Sequence, residues 1–238
     1  MTDSRVPAQT RIWHVLCDFD HTITTEDLTD GLLTRFANPA WDWLERAWRE
    51  GHIDARDCMA AQIALLKAAP HELDSYLDSV EIDPDFVDFA AFCLRSGVGL
   101  EIVSDGLDYA VHRVLQRHGL AHLPVTANHL HRLDHGRWAV RLRHAGDGCH
   151  GRQGVCKCAV AEAAAPRVHR LLIGDGRSDF CVARQVDFVF AKHGLLTHCR
   201  ENGVAHHSVA NFGQALPALQ QLLAESLPML ATAPPAYV

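Results

Sequence analysis

At 238 residues with 48% hydrophobic side chains, the chain is long enough for one packed core plus a small insertion. A formal net charge of -7 excludes the basic stripe that nucleic-acid binding needs, and no apolar run approaches a membrane span. No apolar segment with a basic flank stands near the start, so a cytoplasmic protein is expected.

The apolar run Ile12 to Cys17 reads as a buried strand that hands over to Asp18-Phe19-Asp20-His21-Thr22. On an extended backbone residues two apart face the same way, so Asp18 and Asp20 look into one site. A carboxylate can attack phosphorus, and a second beside it can protonate the leaving oxygen and later deprotonate water. Asp18 is thus the candidate nucleophile and Asp20 the candidate acid/base. Residues 30–80 follow with helical patterning, seen in Trp41, Leu44 and Trp48 and again in Met59, Ile63 and Leu66. A small helical cap is expected there, with its tryptophans packed inward. Asp83-Pro84 opens a further helix that Gly97 closes, with Phe86, Phe89, Ala90 and Cys93 on its inner face.

Residues 98–103 form a second apolar run entering Ser104-Asp105-Gly106, and helical spacing follows from Leu107 to His118. A hydroxyl and free N–H groups at a helix start would cradle a phosphate. Residues 128–144 read as a β-hairpin turning near Asp134-His135-Gly136, whose histidines face solvent. Cys149, His150, Cys156 and Cys158 surround Lys157 with soft ligands, but no paired Cys-x-x-Cys stands there, and packing explains them better than zinc. A third apolar run, 168–173, leads into Gly174-Asp175-Gly176-Arg177-Ser178-Asp179, where two carboxylates four apart can face one cation. Residues 225–238 look like a flexible tail. The cysteines are expected to be mostly reduced.

Asp18, Asp20, Asp175 and Asp179 would crowd four negative charges before any phosphate arrives. At an effective dielectric of about 20, one like-charge pair near 4 Å costs on the order of 4 kcal/mol. Such a cluster takes up protons or holds a cation. Oxygen-only ligands at a phosphate site favour Mg²⁺, and Lys157 supplies a second positive charge facing the phosphate.

The ordered set Asp-x-Asp-x-Thr, Ser-x-Gly, Lys, Gly-Asp-x-x-x-Asp resembles the haloacid dehalogenase superfamily, in its phosphoserine-phosphatase-like branch. The resemblance implies a doubly wound, Rossmann-like α/β core of parallel strands over residues 11–29 and 81–224, with the cap inserted at 30–80. It implies Asp18 as the phosphorylated nucleophile and Asp20 as acid/base, with phosphate held by Ser104, Asp105, Gly106 and Lys157. It also implies Mg²⁺ bound by Asp18, the Asp20 carbonyl and Asp175, with Asp179 helping beside the metal. In phosphoserine phosphatases an acid nine residues past the nucleophile meets the substrate amine, which corresponds to Asp27, and a cap arginine meets the carboxylate. Gln62 stands at that arginine's position, and an amide cannot replace bidentate guanidinium recognition; Arg56 lies one to two turns earlier.

A closer resemblance is to the methionine-salvage phosphatases acting on 2-hydroxy-3-keto-5-methylthiopentenyl-1-phosphate. Pro39-x-Trp41, Ile173-Gly174-Asp175, Phe190-Ala191-Lys192 and Cys199-Arg200-Glu201-Asn202 carry it, although His21 replaces the usual glycine. The expected activity is Mg²⁺-dependent hydrolysis of a small phosphorylated metabolite without nucleic-acid or membrane partners. Phosphoserine hydrolysis, phosphoryl transfer to an alcohol, and a non-catalytic phosphate-binding module are the alternatives.

Overall fold

A computed structural model describes residues 12–142, 152–163 and 168–226. Strand β1 (Ile12–Cys17) runs at the centre of a seven-stranded sheet. Beside it lie β2 (Gly99–Leu107), β3 (Val125–Arg132) and β4 (Trp138–Arg141) on one side. On the other lie β5 (Val168–Gly174), β6 (Phe188–Ala191) and β7 (His206–Ser208). All neighbours pair in parallel except β3 and β4, the expected hairpin, which pair antiparallel with Leu130 opposite Val140. The sheet is the doubly wound, mostly parallel one that the family resemblance implied.

The central strands read as unbroken apolar runs because both of their faces are covered. Trp13, Val15, Cys17, Leu171, Ile173 and Phe190 belong to one core cluster, whereas Leu16, Leu172, Val189 and Ala191 belong to another. Period-two alternation thus divides each strand between two layers. Against the first face pack α5 (Phe86–Arg95) and α10 (Phe212–Ser226), joined by Phe212, whose ring lies 4.7 Å from Phe86 and 5.0 Å from Phe89. Helix α5 buries Phe86, Phe89, Ala90 and Cys93 as the spacing predicted, and Gly97 follows it at φ 67°. Only glycine adopts that conformation without strain, which is why the helix stops there.

Four helices, α1 (Leu28–Phe36), α2 (Trp41–Arg49), α3 (Ala55–Ala64) and α4 (Pro70–Leu77), fill the segment between β1 and α5. The chain after α3 is tied to the hairpin by Trp138 Nε1 donating to the Ala68 carbonyl at 2.9 Å and Ala68 N donating to Gly136 O at 3.0 Å. Two expectations change. Ser104 to Gly106 remain within β2, and the next helix, α6 (Asp108–Arg117), opens only after them. Helix α10 continues through Ser226, past the point where a tail was expected; residues 227–238, and the pair Cys149 and His150, lie outside the described residues. Among the described residues no helix is long and apolar enough to cross a membrane, and seven cysteines are free thiols.

Candidate active site

The carboxyl ends of β1, β2 and β5 meet where the chain, having built one side of the sheet, crosses to the other. Open parallel sheets bind ligands at that switch point. Asp18 follows directly on β1, anchored by its own N–H donating to Ile173 O at 2.9 Å. Its Oδ1 accepts from Lys157 Nζ at 2.6 Å, and its Oδ2 accepts from Thr22 Oγ1 at 3.3 Å. Lys157 opens α7 (Lys157–Ala163) and is 3% exposed. The same ammonium donates to Asp179 Oδ1 at 2.6 Å and to Ser178 Oγ at 3.2 Å.

Asp179 has no exposure at all, and its second oxygen accepts from Asp175 N at 3.2 Å and Gly176 N at 3.4 Å. It therefore pins the turn after β5 that presents Asp175. A side chain at Gly174 would run into the Asp179 carboxylate, so the glycine of this motif is a packing requirement. One carboxylate oxygen each from Asp18, Asp175 and Asp179 lies within 4.8 Å of the others. The donor set is oxygen only and carries excess negative charge, which fits a hard divalent cation. The carboxylate of Asp20 stands outside that trio.

Asp20 Oδ1 accepts from Leu28 N at 2.9 Å at the start of α1, and its Oδ2 accepts from Ser104 Oγ at 3.4 Å. Ser104 Oγ in turn accepts from Gly106 N at 2.9 Å. A Cβ at position 106 would stand 2.7 Å from Asp20 Oδ2, so only glycine lets β2 approach this closely. Asp105 turns to the approach to Lys157: its Oδ1 accepts from Val155 N at 2.8 Å, and Asn128 Nδ2 donates to its carbonyl at 2.6 Å. Asp27 caps α1, accepting from Asp30 N at 2.9 Å, and still borders the cavity.

Burial sets the protonation of the acids. It pushes Asp20 well above the ordinary carboxylate range, and neighbouring Asp27 pushes in the same direction. Burial raises Asp18 too, against the pull of Lys157, and raises Asp179 to about 6. Asp175 rises through burial and the charge of Asp179. Burial works to discharge Lys157, but Asp179 and Asp18 outweigh it and hold the ammonium charged.

A cavity of about 330 Å³ opens over these residues, bounded on its far side by Asp30, Glu45, Trp48, Cys58, Met59 and Gln62. Trp48 departs from the expected inward packing. Helical spacing placed it on a face, but the face it shares borders the cavity, with the Arg177 guanidinium 5.4 Å from its ring centre. Trp41 packs against the core and Trp43 is 63% exposed. Gln62 Nε2 donates to Glu45 Oε2 at 3.1 Å, and Glu45 Oε1 accepts from Arg49 Nε at 3.0 Å. Arg56 donates to the Gln153 carbonyl at 3.1 Å and is not among the residues bordering the cavity. His21 sits at the cavity rim with φ 56°, which explains why a glycine suits that position.

Several participants went unnoticed in the sequence. Thr22, although inside the first motif, was given no role. Arg177 and Ser178 lay within the last one, Asn128 carried no signal, and Lys192 belonged to a stretch that carries the resemblance but had no role of its own: its Nζ donates to Thr22 O at 3.1 Å from the end of β6.

Comparison with known proteins agrees with this geometry. The family model of haloacid dehalogenase-like hydrolases matches residues 15–184. The 2-hydroxy-3-keto-5-methylthiopentenyl-1-phosphate phosphatase of Geobacillus kaustophilus is 30% identical over 214 residues, covering 87% of this chain and 96% of that protein. The protein of the same name from Exiguobacterium sp. AT1b is 32% identical over 199 residues, covering 81% and 90%. Among solved structures, a phospho-aspartyl intermediate analogue of phosphoserine phosphatase superposes with a TM-score of 0.64 at 18% identity, covering 90% of this chain and 99% of that one. A probable phosphoserine phosphatase from Vibrio cholerae gives 0.66 at 17% identity, covering 91% and 67%. On this match of sequence, sheet order and converging carboxylates, the chain belongs to the haloacid dehalogenase-like hydrolases.

Proposed function

We propose that this phosphatase hydrolyses a small phosphomonoester through Asp18, with 2-hydroxy-3-keto-5-methylthiopentenyl-1-phosphate of methionine salvage as its substrate. The observation that carries the reading is the buried ammonium of Lys157, 2.6 Å from both Asp18 and Asp179, with an Asp175 oxygen in reach of both acids. Asp18 attacks phosphorus and takes the phosphoryl group, while Asp20, held protonated by burial, gives its proton to the departing ester oxygen. Asp20, now a carboxylate, then takes a proton from the water that opens the aspartyl phosphate. Lys157 and Ser104 orient the phosphoryl oxygens, and Lys157 balances the charge that builds up on them. Asp105 holds the chain before Lys157 in place.

Asp18, Asp175 and the Asp20 carbonyl would hold Mg²⁺, with Asp179 beside them. The metal supplies the positive charge that lets a phosphate dianion approach carboxylates. The helices over the cavity act as the cap. Gln62 stands where the resemblance puts the carboxylate-binding arginine, and the two guanidiniums that border the cavity are engaged, Arg49 with Glu45 and Arg177 over Trp48, which disfavours phosphoserine, while Trp48, Cys58 and Met59 suit an apolar thioether tail. A reducing cytoplasm suits the free thiols.

The test is a purified-enzyme assay against the salvage ester, phosphoserine and p-nitrophenyl phosphate, with Mg²⁺ or chelator. Turnover requires Mg²⁺ and disappears in Asp18→Asn with the far-UV circular dichroism unchanged. A folded, active Asp18→Asn enzyme overturns the nucleophile, and equal efficiency on phosphoserine and the salvage ester overturns the specificity.

A further inference from the structure

Gln62 lies on α3 and is 5% exposed, and what exposure it has gives onto the cavity it borders. Its amide has only one sensible orientation, because both groups around Nε2 accept hydrogens and donate none. Nε2 donates to Glu45 Oε2 at 3.1 Å and, at a longer reach of 3.5 Å, to the Trp41 carbonyl. Turning the amide over would set its oxygen against two acceptors. The other Glu45 oxygen accepts from Arg49 Nε at 3.0 Å, so the carboxylate is held in place and its charge is met.

Gln62 Oε1 is what remains. No described residue donates to it, and it is not among the side-chain atoms that are both unpaired and sealed from solvent, so it stays open to a ligand. The cap side of the cavity thus presents a fixed acceptor without formal charge. Such an acceptor rewards an O–H and opposes a carboxylate, ether or carbonyl oxygen. An ammonium would turn to Asp27 and Asp30 elsewhere on the wall, not to an amide whose neighbouring acid already holds a guanidinium. Resting on the phosphatase reading above, the geometry points to Gln62 as a specificity residue whose Oε1 accepts a hydrogen from a neutral hydroxyl on the substrate's carbon chain. Glu45 is the positioning residue that stops the amide from turning. The proposed salvage ester carries a 2-hydroxy group that can meet this acceptor.

The probes, used with the full chain, are the ω-hydroxyalkyl phosphates of two to four carbons and the n-alkyl phosphates in which a methyl replaces the hydroxyl. The ω-aminoalkyl phosphates of the same lengths test an ammonium, and p-nitrophenyl phosphate serves as a general ester. At one chain length or more, the wild-type enzyme prefers the hydroxyl ester over both matched esters about tenfold in kcat/KM, on the scale of one well-made hydrogen bond. Gln62→Met, similar in length, brings the hydroxyl-to-alkyl ratio to about one. Glu45→Gln frees the amide to turn and lowers the ratio about threefold, a change in selectivity that a purely structural role would not produce. No hydroxyl preference at any length, a larger preference for the amine, or a ratio that survives in folded Gln62→Met overturns the proposal; the wild-type comparison decides it even where that variant does not fold. A ratio unmoved in Glu45→Gln overturns the positioning role. If p-nitrophenyl phosphate is turned over and none of the alkyl esters is, the subsite alone fails. If p-nitrophenyl phosphate is not hydrolysed either, the phosphatase reading fails beneath it.

Discussion

Lys157 is buried between two carboxylates, a position that no surface lysine tolerates and that makes its removal informative. Taking away one partner of a buried charge set leaves the others uncompensated, at about 3–5 kcal/mol. Lys157→Ala in chelator should therefore lose about that much stability in urea unfolding, and its turnover should vanish; a variant as stable as wild type would mean that Asp18 and Asp179 do not share the ammonium. Asp105 gives a prediction of opposite sign. Burial pushes it up to about 6, with Val155 N and Lys157 pulling back. Its folded pKa lies above the unfolded one, so between about pH 4 and 6 the native protein holds a proton that the unfolded chain has released. Its contribution to stability therefore falls as pH rises through that window. Asp105→Asn keeps the acceptor for Val155 N and removes the penalty. Allowing for its half-buried setting, the variant should gain about 1–2 kcal/mol over wild type at pH 7 and little at pH 4. A gain that does not widen with pH refutes this.

Between elements, Phe212 is the contact that fastens α10 to α5, and Asp83 fixes its entry by accepting from Phe212 N at 2.9 Å and Asp85 N at 3.0 Å. Phe212→Ala should cost about 3–5 kcal/mol, read as a fall in urea midpoint without loss of site geometry, since the ring packs on Phe86 and Phe89 and does not border the cavity. Helix α5 was legible in the sequence because its burial is periodic and its stop is a glycine. The strand ends were legible for a related reason: apolar runs buried on both faces terminate abruptly in the polar motifs, which marked Asp18 and Asp175, whereas Lys157 was legible only from its place between the second and last motifs. Spacing alone could not show what a helix faces. It put Trp48 on a stripe but not over the cavity, and it gave no sign that Gln62 would pair with Glu45. Nor could it end β2 correctly, because Ser104-Asp105-Gly106 is turn-like in composition and is held extended by neighbours distant in sequence, Asp20 and Asn128.

Across the whole molecule the net charge of -7 opposes an anionic substrate, so in the proposed mechanism attraction is local, through Lys157 and the cation that Asp18, Asp175 and Asp179 could hold. That makes stability, activity and pH three views of one equilibrium. A ligand that binds only the native state stabilises it by RT ln(1 + [L]/Kd), about 2.7 kcal/mol at a hundredfold excess over Kd. Protons compete for the same oxygens. Burial raises Asp18 and Asp175 and brings Asp179 to about 6, so in the interval from the ordinary carboxylate range up to about pH 6 the native cluster holds protons that free carboxylates have released. The sign follows: the metal-free protein loses stability as pH rises through that interval, because its native state must release protons that the unfolded chain has already released. Mg²⁺ restores the loss. Thermal unfolding in Mg²⁺ and in chelator should show a rise in Tm of about 2–6 °C with the ion at pH 8. The rise should shrink toward nothing at pH 5 and disappear at both in Asp175→Asn. An increment equal at the two pH values would place the ion elsewhere on an acidic surface, and turnover would then owe nothing to these three oxygens.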